Sequence, residues 1–188
     1  MSWMDFFKAK SNAVEAGLTS RARPSGNVVA RYAPAISKKA QVHDRQAAID
    51  ALAKLGTTRA AAALLKRYTF VIDPGITDQD EREAAFHGIL AAGDDALPAI
   101  RDFCANADSI TWPLRMLREL LDERELVSEL LELLDEWDTE YHRNPEPKTQ
   151  LLSALERVKD PRVLPAVERF LEDFDEPTRF QAVGTLLA

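Results

Sequence analysis

The 188-residue chain has one cysteine, Cys104, so no internal disulfide can staple it and the fold has to rest on its core. Glycine is scarce, at seven residues, and aromatic residues make up only 7%. There is no glycine-rich phosphate loop, no cysteine pair and no serine in an elbow motif, which removes the familiar sequence marks of nucleotide, zinc or redox, and serine-hydrolase sites. The three histidines, His43, His87 and His142, are scattered. No apolar run has the length that spans a bilayer, and the first residues lack a basic segment followed by an apolar core. A cytoplasmic protein is the simplest reading of these absences. Cys104 falls on the apolar side of its predicted helix, where it reads as a small buried hydrophobe rather than a nucleophile.

What the chain does contain is helical periodicity. Leu151, Leu152, Leu155 and Val158 recur at three-and-four spacing, as do Leu164, Val167, Phe170 and Leu171, so two short helices follow one another, each predicted to bury one side. Between them, Asp160 and Pro161 predict a cap acceptor and a proline in the first helical turn. The segment from Val163 to Phe170 aligns with Ala96 to Phe103 and with Ala61 to Tyr68, and a weaker copy opens at Leu126. A second set, Arg45 to Gly56 and Arg82 to Gly93, shares an Arg-x-Ala-Ala start and a glycine stop suited to the C′ position. Two helices recurring with a period in the thirties predict a stacked array in which no unit buries its own apolar face alone.

These residues resemble the HEAT-like repeats first named for phycobilin lyases. The resemblance covers about residues 24 to 188, is strongest in 159–173 with 175–183, and is weakest around 110–147. It implies an all-α, right-handed superhelical solenoid of about five antiparallel helix pairs, commonly a surface for protein partners. Enzymes of this repeat class need residues that are missing here. A di-iron site would need repeated His-Glu pairs, a DNA glycosylase a basic concave face, and a bilin lyase more room than five short repeats offer. Glu83 and His87, one turn apart, could share a metal, but the pair reads better as a surface hydrogen bond.

Residues 1–23 differ from the rest. Trp3, Phe6 and Phe7 form an aromatic cluster beside Lys8 and Lys10. The reading favoured is an arm that caps the first repeat; the alternative is an interfacial anchor or docking peptide. Residues 24–188 then form the repeat domain. Asp73 to Thr77 predicts a type II turn within the second pair. The connector 139–147 is the longest within a pair, and it should project on the same side as 73–77 with Tyr141, His142, Arg143 and Asn144 available to a partner. Phe70, Phe86, Phe103, Phe170, Phe174 and Phe180 are expected in the core.

The net charge of −7 hides a polarity along the chain. Residues 1–70 hold twelve Lys or Arg against four Asp or Glu, and residues 71–188 hold twelve against twenty-seven. Glu125, Glu129, Glu132 and Glu136 fall at helical spacing opposite Leu126, Leu130, Leu133, Leu134 and Trp137, which predicts a solvated acidic face. Such a face repels nucleic-acid phosphates and suits a basic protein surface, and the basic front could meet the acidic rear of a second copy head-to-tail. The combined expectation is a non-catalytic scaffold or adaptor with no metal or cofactor. It would bind a protein partner through Glu125, Glu129, Glu132, Glu136, Tyr141, His142 and Arg143. The alternatives are a peripheral membrane adaptor using the aromatic arm and, third, a bilin-lyase-like enzyme. The close at Thr185 to Ala188, in an apolar helix without a polar cap, leads to the expectation that the chain continues or that this helix is covered.

Overall fold

Runs of alanine and leucine, broken by Thr, Asp, Pro and Gly at the ends, set the element boundaries. A computed structural model describes residues 25–188, all helices and connectors. In chain order the helices are α1 (Ser25–Tyr32), α2 (Val42–Ala53), α3 (Thr58–Leu65), α4 (Gly75–Leu90), α5 (Leu97–Cys104), α6 (Thr111–Leu120), α7 (Glu123–Asp135), α8 (Glu146–Leu155), α9 (Val163–Glu168) and α10 (Glu176–Leu187). Short 3-10 turns extend α1, α3 and α9 and lead into α5. The predicted glycine stops hold: Gly56 and Gly93 have φ of 54° and 56°, the left-handed conformation that glycine adopts without a Cβ clash.

Caps explain several starts. Thr57 Oγ1 accepts from Ala60 N at 3.3 Å, and Asp175 Oδ2 accepts from Thr178 N at 3.0 Å. Asp122 and Glu125 form a reciprocal capping box at the head of α7. Two predicted details are corrected. Gly75 does not occupy the left-handed region that a type II turn needs; Pro74 caps α4 and Gly75 is its first residue. Asp160 does not cap α9 either. Its carboxylate turns onto Arg162, accepting from the backbone N and from Nε at 2.9 Å each.

The helices pack in two layers. In one, α2 lies on α4, α4 on α6, and α8 on α10; in the other, α1 lies on α3, α3 on α5, and α7 on α9. One core runs through both, including Ile49, Leu52, Leu64, Ile89, Ile100, Leu117, Leu134, Leu152 and Phe170. Close approach is strict at one point. A Cβ on Gly88 would lie 2.7 Å from the Ala53 Cβ and 3.2 Å from its Cα, so α2 and α4 meet there only because position 88 is glycine.

Some residues expected inside lie outside. Leu164, Leu171, Phe174 and Phe180 are exposed, whereas Phe86 and Phe170 are buried and Phe70 and Phe103 are half-buried. For Leu164, Leu171 and Phe180 the reason is that a helix in a stack carries apolar residues for the pair before it and for the pair after it, and periodicity cannot say which side is occupied; Phe174 lies in the connector before α10, where helical spacing does not apply.

Charge also enters the core. Glu81 Oε2 accepts from Arg45 Nε at 2.9 Å and from Arg67 Nε at 2.7 Å, and all three side chains are almost wholly buried. Arg67 Nη2 also donates to Asp78 Oδ1 at 2.7 Å, Arg67 Nη1 donates to the Phe70 carbonyl at 3.1 Å, and Asp78 Oδ1 accepts from Ile72 N at 2.9 Å. Helices α2, α3 and α4 are thereby tied at one point. Burial pushes the Asp78 carboxyl up, but the hydrogen bonds from Arg67 and Ile72 and the charges of Arg67 and Arg82 outweigh it and hold the group below 3.8.

Three outcomes follow from this packing. Glu81→Ala leaves the buried Arg45 guanidinium without a carboxylate and Arg67 with Asp78 alone, and should lower unfolding stability by about 3–5 kcal/mol in urea titration. Gly88→Ala forces α2 and α4 apart and should cost about 1–3 kcal/mol in the same assay. Because the folded pKa of Asp78 is depressed, its stabilisation is complete above the unfolded value of 3.8 and is lost as pH falls through the lower folded value. Thermal melts across that range should show Asp78→Asn losing part of the wild-type acid dependence.

Candidate functional site

The connectors within pairs three, four and five lie against one another and form one edge of the molecule. Asn144 Nδ2, in the long connector, donates to the Asp108 carbonyl at 2.8 Å, and Phe174 N donates to the Thr139 carbonyl at 2.9 Å. Beneath them Lys148, in the first turn of α8, is fully buried. Its Nζ donates to Asp173 Oδ2 at 2.6 Å and to the Asp138 carbonyl at 3.2 Å, and Asp173 is buried with it. A buried pair of this kind fixes two connectors relative to each other, since neither charge tolerates separation from its partner. Arg179 Nη1 completes the anchor by donating to the carbonyls of Asp173 at 2.7 Å and Phe174 at 3.0 Å.

The anchored edge presents aromatic side chains. Tyr141 and Phe174 meet edge to face with ring centroids 5.3 Å apart, while remaining 66% and 65% exposed. His142 Nε2 lies 2.8 Å from Asp138 Oδ1, and its ring packs edge-on against Trp137 at 4.9 Å. The hydrogen bond from His142, helped by that from Glu140 N, holds the Asp138 carboxyl below its ordinary value. Asp138, Glu140, Glu172 and Glu176 are exposed within three residues of the pair in sequence, against one exposed cation, Arg143. Exposed aromatic rings carried on an anchored backbone are suited to anchoring a partner.

The residues predicted for binding divide. Tyr141, His142 and Arg143 stay on the edge, with Tyr141 and Arg143 exposed. Glu125, Glu132 and Glu136 are exposed on α7, although Glu125 also serves the capping box. Glu129 is corrected: it is 4% exposed, and its carboxylate is engaged by Arg101 of α5, with Nε 2.6 Å from Oε1. It braces two helices and offers nothing to a partner. Burial, followed by the charge of Glu129, raises the pKa of the neighbouring Glu132 carboxyl. Trp3, Phe6 and Phe7 lie outside the described residues.

Other sequence-level candidates have structural partners. Glu83 Oε1 accepts from Arg115 Nη1 at 2.8 Å and from Gln79 Nε2 at 3.0 Å, while His87 packs beside Phe86. Among the described residues no His, Cys, Asp and Glu side chains gather in threes as a metal site would require. Cys104 is buried between helices, and that burial, helped by Glu129, pushes its thiol up to about 12. Among the described residues no helix is long and apolar enough to cross a membrane.

Two features escaped the sequence reading. The Tyr141–Phe174 contact joins residues 33 positions apart, and Phe174 carried only an expectation of burial. A groove of about 530 Å³ lies between α3 and α5, lined by Leu65, Tyr68, Ala99 and Phe103 together with Lys66 and Asp102. Neither has a periodic signal of its own.

Residues 44–68 match the PBS lyase HEAT-like repeat family. The match spans α2, α3 and the 3-10 turn after α3, and not the 159–183 stretch where the resemblance reads strongest. No curated protein and no solved structure matches the chain.

Removing one member of the buried pair should be costly at this edge. Lys148→Met leaves the Asp173 carboxylate buried without its ion partner and should destabilise by about 3–5 kcal/mol in denaturant unfolding. The double variant Lys148→Met/Asp173→Leu should recover part of that loss, which a double-mutant cycle would measure.

Proposed function

We propose, for a chain that carries a PBS lyase HEAT-like repeat, a non-catalytic scaffold or adaptor that holds a protein partner on its connector edge. HEAT-like repeats commonly serve as protein-interaction elements. The observation that carries the reading is the Tyr141–Phe174 pair, two exposed rings in mutual contact on a backbone that Lys148 and Asp173 hold from below. Solvent exposure of two large rings is unfavourable in isolation and becomes favourable when a partner covers them.

Charge specifies the partner's chemistry. The acidic surroundings of the rings, with Glu132 and Glu136 exposed on α7, favour a basic segment bearing at least one apolar side chain. Long-range attraction would speed encounter and fade with salt, and the aromatic contact would set the lifetime of the complex. In this proposal the two helix layers continue the right-handed superhelix typical of such repeats, so the edge follows its curvature. The aromatic arm at 1–23 and the repeat domain at 24–188 remain separate units in the same reading.

Affinity capture from the source lysate tests it. The wild-type chain should retain a basic partner that Tyr141→Ser and Phe174→Ser each release, at unchanged circular dichroism, with capture weakened by raised salt. Partner retention by both variants would remove the connector edge from consideration.

A further inference from the structure

The outer face of the last pair is built like an inner stacking face. Leu164 aligns with Leu97, Leu171 with Cys104, and Val183 with Phe86 and Ile49. The inner residues are 6% exposed or less, covered within the stack, whereas Leu164 is 60%, Leu171 37% and Val183 43% exposed. On α10 the exposed Val183 lies opposite the positions, Thr178, Ala182 and Thr185, that are buried in the stack.

We infer that this face is covered by the first pair of a second copy, giving a head-to-tail stack of chains. A contact between adjoining pairs sets the register. Arg45 of α2 donates to Glu81 of α4, the residue just before the aligned Arg82. The contact recurs between Thr149 of α8 and Thr178 of α10, whose oxygens are 3.1 Å apart; the shared Glu-Pro starts at 146 and 176 align Thr149 with Arg179. The next step of the series brings Arg179 of one copy to Asp44 of the following copy. Asp44 occupies the position of Glu81, directly before Arg45, and its side chain is 58% exposed. Beside it Ala47 is exposed and Ala51 half-exposed on α2, small residues that permit close helix approach.

Charge favours the same partner. The front of the chain, residues 1–70, carries an excess of eight positive charges, and the remainder an excess of fifteen negative. Head-to-tail stacking brings opposite excesses together, while a symmetric tail-to-tail contact would place like charges against each other. A heterologous contact of this kind does not close on itself, so assemblies grow beyond the dimer unless a ring forms.

Sedimentation of the full chain over a wide concentration range tests the inference. The wild-type mass should rise past that of two chains and fall back with added salt. Asp44→Arg in the head and Val183→Asp in the tail should each weaken association about tenfold or more. Both positions are exposed and should leave the fold intact, and Leu164→Asp provides a second tail variant. Mixed in equal amounts, Asp44→Arg and Val183→Asp should restore one good interface and stop at dimers. A monomer at every concentration, as would follow from residues 1–24 covering the head in the same chain, overturns the inference, as does an assembly that neither variant weakens.

Discussion

The Glu81 carboxylate is shared by two buried guanidiniums, one of which also pairs with Asp78, and the joint between the first two described pairs depends on it. Arg45 comes from α2, Arg67 from the turn after α3, and Glu81 from α4, so one charge fixes three segments at once. Apolar packing alone would allow stacked helices to slide by a turn at modest cost. A buried ion network does not allow that, because a shift leaves unpaired charge in a medium that solvates it poorly. The absence of a side chain at Gly88 then lets α2 and α4 close to contact distance beside it.

The same device appears at other joints with different residues. Arg101 and Glu129 brace α5 against α7, and Lys148 with Asp173 ties the last two connectors. This changes the meaning of the acidic excess. Glu81, Asp78, Glu129 and Asp173 belong to the interior, where they answer buried or half-buried cations, so the surface is less acidic than the sequence total suggests. Of the exposed acids, Glu125, Glu132 and Glu136 lie on or at the end of α7, and Asp138 and Glu140 lie on the long connector beside Tyr141.

The two proposals rest on two different surfaces. The connector edge is rigid because its backbone is bonded to a buried ion pair, and its rings are offered to solvent from a fixed position. The outer face of the last pair is apolar because helices in a stack are made two-sided. In the proposals, one would take a partner with a basic, partly apolar segment and the other a structure shaped like the pairs it already contains. Their independence follows from geometry, since the edge is made by the turns and the face by the helix sides.

The helical class, the glycine stops at Gly56 and Gly93, the repeated arginines at 45 and 82, and Cys104 as a buried hydrophobe were all legible in the sequence, since each depends on residues within a turn or two. The depths of Glu129 and Phe180 were not, because three-and-four spacing marks a face without saying what covers it, and that of Phe174 was not, because it lies in a connector. Lys148 gave no sign of burial either, since its partner lies 25 positions away and no local rule places an ammonium group in a core. Local chemistry decided the elements; the order in which they stack decided which charges are enclosed and which rings remain outside.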